Sequence, residues 1–138
     1  MIQRIQTIWL LLAAVFAAVT FRFPFYTGDW LKDNLPGPID LNARTTIWLG
    51  ILTVLAGAIA FVNIFLFDNR KLQLKLCWLG IFVTVILLVV YFLELNNFTS
   101  GTIALWCIFH FAILAMYIMA ARGIWKDEKL IKSMDRLR

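Results

Sequence analysis

Four long apolar runs constrain this chain more than any other feature. They span 5–21, 46–67, 76–95 and 102–121, and each approaches the roughly 20 residues that a helix needs to cross a bilayer. Of the 138 residues, 62% are hydrophobic and 15% are charged, whereas soluble domains average about 45–50% and about 25%. The sequence therefore predicts an all-α integral membrane protein that forms one domain over 1–138, with four transmembrane helices.

The connections between the runs predict how the helices are ordered. A longer polar segment, 22–45, follows the first run, and short turns at 68–75 and 96–101 separate the others. Because short connections join antiparallel neighbours, the pattern indicates an up-down-up-down bundle. In the outer segment, "LPGP" at 35–38 predicts a turn, since each proline fixes its own φ.

The basic residues predict the orientation of the bundle. Ten of the 13 Lys and Arg residues fall on one face, where Arg4, the 70–75 turn and the tail 122–138 meet, and only Arg22, Lys32 and Arg44 fall on the other. Cytoplasmic loops carry the excess of positive charge, so both termini are predicted to be cytoplasmic. Anionic lipid headgroups explain this basic face better than nucleic acid does.

The start of the chain leaves two readings open. "MIQRIQTIWLLLAAVFAAV" has a basic beginning, a short apolar core and small residues, as a signal peptide does. Cleavage near Ala17 would leave three spans. We expect the first helix to be retained, because its apolar run continues through Phe21 without a polar cleavage region.

His110, the one histidine, lies within the fourth run. An ionisable side chain at that depth is a functional candidate, but a haem with two axial imidazoles needs a second histidine. We therefore expect His110 to be a packed, neutral imidazole that is hydrogen-bonded to a neighbouring helix, through Thr53, Thr84, Tyr91 or a backbone carbonyl. It is the sole candidate cofactor residue, and we expect no cofactor, metal or catalytic site.

The depth of two other pairs of residues in the bundle predicts whether their side chains can meet. Arg22 and Glu94 both reach the outer interface and are positioned for an ion pair, although each could instead extend separately into the headgroups. Cys77 and Cys107 lie too far apart along the membrane normal for a disulfide. The third run is bulky, with one glycine, Gly80, and is predicted to be the most lipid-exposed helix.

The C-terminal segment "RGIWKDEKLIKSMDRLR" is amphipathic at helical spacing. It predicts a helical tail that either continues the fourth span or lies on the inner leaflet. Together with "MIQRIQTIWLLLAA" at the other end, it resembles the family catalogued as domain of unknown function 4293. The resemblance implies a small bacterial membrane protein with four helices in the cytoplasmic membrane, and it carries no activity over to this chain.

Both ends should meet at the cytoplasmic face and form one polar cluster. Its predicted members are Gln3, Arg4, Gln6, Lys126, Asp127, Glu128, Asp135 and Arg136. The sequence has no phosphate-binding loop, no nucleophile elbow and no zinc-protease motif. We expect a non-enzymatic accessory or scaffold subunit whose partners are membrane lipids and another membrane subunit or itself. The alternative is a small transporter, or a lipid- or quinone-binding protein, that uses His110 within an oligomer.

Overall fold

The computed structural model describes residues 3–30 and 37–137, and it describes only the backbone of Gln3 and Arg4. The prediction of a turn at 35–38 and the charge at Lys32 therefore fall largely outside the described residues. Within these residues, four α-helices and three strands follow one another as α1 Gln3–Val19, β1 Tyr26–Trp30, β2 Ile39–Leu41, α2 Ile47–Phe65, α3 Arg70–Glu94, β3 Phe98–Ile103 and α4 Ile108–Arg136. Short 3-10 turns at Leu95–Asn97 and Leu105–Cys107 flank β3.

The helices agree with the apolar runs, with changes at their ends. α2, α3 and α4 are long and apolar enough to cross a membrane, while α1 is apolar but shorter. α3 begins within the predicted turn at 68–75, because the side chain of Asn69 accepts a hydrogen bond from the backbone N–H of Leu72 and caps the helix. The tail continues α4 without a break to Arg136, which decides between the two predicted arrangements.

A small antiparallel sheet is the main departure from the all-α prediction. β1 lies between β2 and β3, so the segment after α1 pairs with the connection between α3 and α4. As a result α4 starts at Ile108 rather than near residue 102. Two glycines allow this pairing, since a Cβ at Gly28 would lie 2.2 Å from the Ser100 carbonyl oxygen and one at Gly101 would lie 2.5 Å from that of Thr27.

The helices pack in a ring in which α1 contacts α2 and α4, and α3 contacts the same two helices. Small residues form the α1–α2 contact, where a Cβ at Gly57 would lie 3.3 Å from that of Ala17. The prediction that the third helix is the most lipid-exposed is wrong. In α3, 39% of the apolar window is buried, against 28% in α2 and 33% in α4, because Gly80 lets the Tyr117 ring pack directly on α3.

The outward faces of the helices are strongly apolar. Large apolar side chains on these faces are 60–69% exposed, among them Trp48, Phe65, Trp78, Phe82 and Ile108. A soluble monomer rarely exposes apolar surface on this scale. These faces suit contact with lipid tails, and they agree with the helices that can cross a membrane.

Candidate functional site

His110 lies in the first turn of α4, beneath the sheet, and is 1% exposed. Two aromatic rings enclose it. The Tyr91 ring of α3 lies 4.5 Å from the imidazole between centroids, and the Phe25 ring, between α1 and β1, lies 5.0 Å away. Both contacts are edge-to-face, an arrangement that aromatic rings favour. Three separate parts of the chain therefore build the surroundings of His110.

The imidazole and its neighbour carry polar atoms without partners. Among the described residues, neither ring nitrogen of His110 has a hydrogen-bond partner, and the Tyr91 hydroxyl has none either. The other two predicted partners are engaged within their own helices. Thr53 donates to the Leu49 carbonyl and Thr84 to the Gly80 carbonyl, each at 2.7 Å. His110 is thus enclosed by aromatic rings instead of being hydrogen-bonded to a neighbouring helix.

Such a site can hold a neutral imidazole, which offers one N–H donor and one nitrogen acceptor. A metal would need further ligands around it. In the described part of the chain, no group of three or more His, Cys, Asp or Glu side chains is close enough together to hold an ion.

Arg22 and Glu94 are not joined in the described structure. Glu94 instead accepts a hydrogen bond from the side-chain amide of Asn97 at 2.6 Å, in the turn that follows α3. Arg22 is exposed at the end of α1. Among the described residues, Glu128 and Lys132 form a salt bridge, with 3.1 Å between Oε1 and Nζ.

Two residues of the predicted cytoplasmic cluster, Gln6 and Asp127, contact each other in the interior of the bundle. The Gln6 side chain of α1 donates a hydrogen bond to the Asp127 carboxylate of α4, and the two residues are 4% and 6% exposed. Gly123, one turn earlier on α4, makes room for Gln6, since a Cβ there would lie 3.0 Å from Gln6 Cγ. This polar contact joins the two ends of the chain.

The other described residues of the predicted cytoplasmic cluster do not lie around the contact between Gln6 and Asp127. Glu128 bonds to Lys132 along α4, and Lys126, Asp135 and Arg136 are exposed. The side chains of Gln3 and Arg4 lie outside the described residues. Of the eight predicted members, the structure brings together Gln6 and Asp127.

A second interhelical polar contact was missed from the sequence. Asn63 of α2 donates from its amide to the Gln73 carbonyl at 3.2 Å and to Cys77 Sγ at 3.1 Å, and the Gln73 amide donates back to the Asn63 carbonyl at 3.2 Å. All three residues are buried. The signal was available, because an amide side chain inside an apolar run needs a partner on a neighbouring helix.

Tyr117 gives a third such contact, since its hydroxyl donates to the Ala56 carbonyl of α2. The two cysteines are free, with Cys77 buried and Cys107 half-buried. The buried polar side chains of the described residues thus mainly fasten helices to one another.

Comparisons with known proteins give one result. A family model described as "Domain of unknown function (DUF4293)" matches residues 2–137. Neither the curated proteins nor the solved structures contain a match to the chain. The matched family is uncharacterised, so it adds no site residue to those described above. Because the match covers nearly the whole chain, this protein belongs to the DUF4293 family.

Proposed function

We propose that this protein is a non-enzymatic accessory or scaffold subunit of a membrane complex, located in the bacterial cytoplasmic membrane with both termini in the cytoplasm. The apolar faces of the helices support membrane insertion. The excess of basic residues at one end of the bundle supports the orientation.

Contacts between helices support the up-down-up-down order within this proposal. Near one end of α1, Gln6 bonds to Asp127, and near the other, the Phe16 ring lies 5.5 Å from that of Phe109. These contacts run in opposite directions along α1 and α4. α3 and α4 are antiparallel by the same argument. Tyr91, near the end of α3, lies beside His110 at the start of α4, while Gly80, earlier in α3, lies against Tyr117, later in α4.

The observation that carries the proposal is the length of α4. Its 29 residues extend about 43 Å at about 1.5 Å per residue, while the hydrocarbon core of a bilayer is about 30 Å thick. The helix has no interruption that would let its end bend onto the membrane surface. Its last turns therefore project from the bundle.

The projecting turns expose apolar side chains that lie beyond the hydrocarbon core, where lipid tails do not cover them. Leu130, Met134 and Leu137 are 52%, 67% and 89% exposed. At about 100° per residue, they lie on the side of α4 that Gly123 and Asp127 present to Gln6 of α1. The face that binds α1 thus continues beyond the bundle. We name this strip of Leu130, Met134 and Leu137 the tail strip.

The surroundings of the tail strip indicate the kind of partner. On a helical projection the acidic residues Glu128 and Asp135 lie on one side of α4 beyond the strip, and the basic residue Lys126 lies on the other side. An amphipathic helix of another membrane-associated protein, with its own apolar strip between charges of the reverse order, fits this surface. Opposite charges on the two borders would fix the orientation of that helix.

The test compares two double variants of the full chain, expressed from its own gene and extracted in a mild detergent. Leu130→Gln with Met134→Gln removes the apolar contact and keeps helix-forming residues. Lys129→Gln with Ser133→Gln changes the other side of the same turns. We expect the first variant to lose the higher-mass complex seen on a native gel and the second to retain it.

Two results would contradict the proposal. One is a native protein that migrates only as the free chain in its micelle. The other is a complex that survives Leu130→Gln with Met134→Gln unchanged. Helical circular dichroism of both variants is the control that their fold is intact.

A second candidate function rests on the unpartnered polar atoms of His110 and Tyr91. A small transporter, or a lipid- or quinone-binding protein, would use them to bind a polar group, with an oligomer completing the site. An accessory subunit tolerates His110→Phe, whereas this second function is lost on that change. An absorbance spectrum of the purified protein tests directly for haem or quinone.

A further inference from the structure

A groove of about 560 Å³ lies between α3 and α4 on the outside of the bundle. Its volume is within the range of about 300–1,000 Å³ that is typical of small-molecule sites. Leu74, Trp78 and Ile81 of α3 form one wall, and Ile118 and Trp125 of α4 form the other. Ala121 is its small residue on α4, and it leaves room between the larger side chains.

One charged residue, Arg122, lines this otherwise apolar groove. It is exposed, and no carboxylate among the described residues forms a salt bridge with it. At about 100° per residue, Lys129 and Arg136 lie on the same side of α4 as Arg122. Lys129 is held there over the Trp125 ring, with its Nζ 5.8 Å from the ring centroid. A row of positive charge therefore leads out of the groove.

The apolar and charged residues of the groove follow one another along the helices in the same order as the acyl chains and the headgroup of a lipid in a leaflet. Its deeper end contains Ile81 and Ile118, and Arg122 and Trp125 lie toward the basic end of the bundle. Tryptophan favours the headgroup level of a bilayer, and basic sites between membrane helices bind anionic headgroups.

We propose that this groove is a binding site for one anionic phospholipid of the inner leaflet. Arg122 binds the headgroup phosphate, and an acyl chain lies between Trp78, Ile81 and Ile118. The tail strip faces the α1 side of α4 and the groove faces the α3 side, so the two surfaces are separate. The lipid site requires membrane insertion but does not depend on an accessory role.

The experiment is native mass spectrometry of the full chain, released from detergent after titration with phosphatidylglycerol or phosphatidylcholine. We expect the native protein to retain one phosphatidylglycerol molecule and to bind phosphatidylcholine more weakly. Arg122→Gln should weaken phosphatidylglycerol binding about fivefold, the effect of one basic residue at a lipid surface, and remove the preference for it. Arg122→Lys, which keeps the charge, should retain most of that preference.

Matched variants distinguish lipid binding in this groove from general electrostatic attraction between the basic residues and anionic lipid. Arg136→Gln makes the same charge change about 21 Å further along α4, beyond the screening length of about 10 Å, and should leave binding unchanged. Ile118→Trp fills the groove and should weaken binding, while Val89→Trp adds the same ring on α3 outside the groove and should not.

Three results would overturn the proposal. Equal loss with Arg136→Gln and Arg122→Gln would indicate diffuse attraction. Unchanged binding with Ile118→Trp would show that no acyl chain occupies the groove, and displacement of the lipid by inorganic phosphate would indicate a phosphate site. The double variant Leu130→Gln with Met134→Gln should bind lipid normally, so this proposal and the accessory role can fail independently.

Discussion

At the scale of single residues, the buried hydroxyls of Tyr91 and Tyr117 are in opposite situations. Both side chains are fully buried. Tyr117 donates to the Ala56 carbonyl, whereas the Tyr91 hydroxyl has no partner among the described residues. A buried hydroxyl contributes to stability only when it is bonded, and it opposes folding when it is not.

The same substitution should therefore have different effects at the two tyrosines. Tyr117→Phe should lower the free energy of unfolding by about 0.5–1.5 kcal/mol, the net contribution of one hydrogen bond. Tyr91→Phe should leave it unchanged or raise it. Unfolding of the detergent-solubilised protein by sodium dodecyl sulfate, followed by circular dichroism, measures both values. A loss at Tyr91 as large as that at Tyr117 would mean that a partner binds the Tyr91 hydroxyl.

The sequence located His110 in the fourth helix, and its neighbourhood could be predicted only in part. Tyr91 is one of the three partners that the sequence suggests for His110, with Thr53 and Thr84, and its ring does lie beside the imidazole. Phe25 could not be predicted, since it belongs to the segment before β1 and reaches His110 only after the sheet has formed. Contacts made by a connecting segment depend on tertiary structure, and hydropathy carries no information about them.

At the scale of helices, the contact between α3 and α4 depends on the missing side chain of Gly80. A Cβ at this position would lie 2.3 Å from Cε1 of the Tyr117 ring. The ring is fully buried and bonded to α2, so it has little freedom to move away. This pair of residues fixes how closely α3 and α4 approach.

Gly80→Ala should consequently destabilise the bundle by about 1–3 kcal/mol, a typical cost of overpacking. Gly57→Ala is the matched control, because its Cβ would lie at a tight but adjustable 3.3 Å from that of Ala17, and it should have the smaller effect. Thermal unfolding midpoints in one detergent compare the two. Equal midpoints for Gly80→Ala and the native protein would show that α3 and α4 are further apart than described.

The contact between Gln6 and Asp127 makes α1 and α4 depend on each other. Replacing Gln6 by Leu leaves a buried carboxylate without its donor and should cost about 1–3 kcal/mol. The double variant Gln6→Leu with Asp127→Leu should recover part of that loss, because neither polar group is then left alone. A double-mutant cycle gives the coupling energy, and strictly additive losses would mean that the two side chains do not interact.

At the scale of the whole molecule, the sheet joins the two connections that the sequence treats as separate. The apolar runs were predictable because hydropathy is a local property of the chain. The strands were not, since β1 pairs with β3 across about 70 residues of sequence, as in the register of Asp29 with Ser100. Short polar segments such as β1, "YTGDW", carry too little alternation to be recognised as strands.

A disulfide across β1 and β3 tests the sheet and the proposed orientation together. Asp29 and Ser100 are register partners, and the Ser100 hydroxyl donates to the Asp29 carboxylate at 3.0 Å. Cysteines at both positions, with Cys77 and Cys107 replaced by alanine, should form a bridge in intact bacteria if the sheet lies in the oxidising periplasm. Alkylation of free thiols followed by a non-reducing gel measures the bridge.

The control pair is Asp40→Cys with Ser100→Cys. Those positions lie on either side of β1, opposite Thr27 and Asp29. Two strand spacings alone separate them by about 10 Å, which is too far for a disulfide. Free thiols at positions 29 and 100 in intact cells would contradict either the pairing or the periplasmic location. Oxidation of the purified protein would then distinguish them, because correctly paired strands form the bridge in detergent whichever side they occupied in the cell.

The central position of β1 also has a mechanical consequence. Because β1 is hydrogen-bonded on both edges, one end of the four-helix ring is closed by a cap, while the other end is held by side chains such as Gln6 and Asp127. The helices should therefore splay with greatest amplitude at the uncapped end, pivoting about the strands.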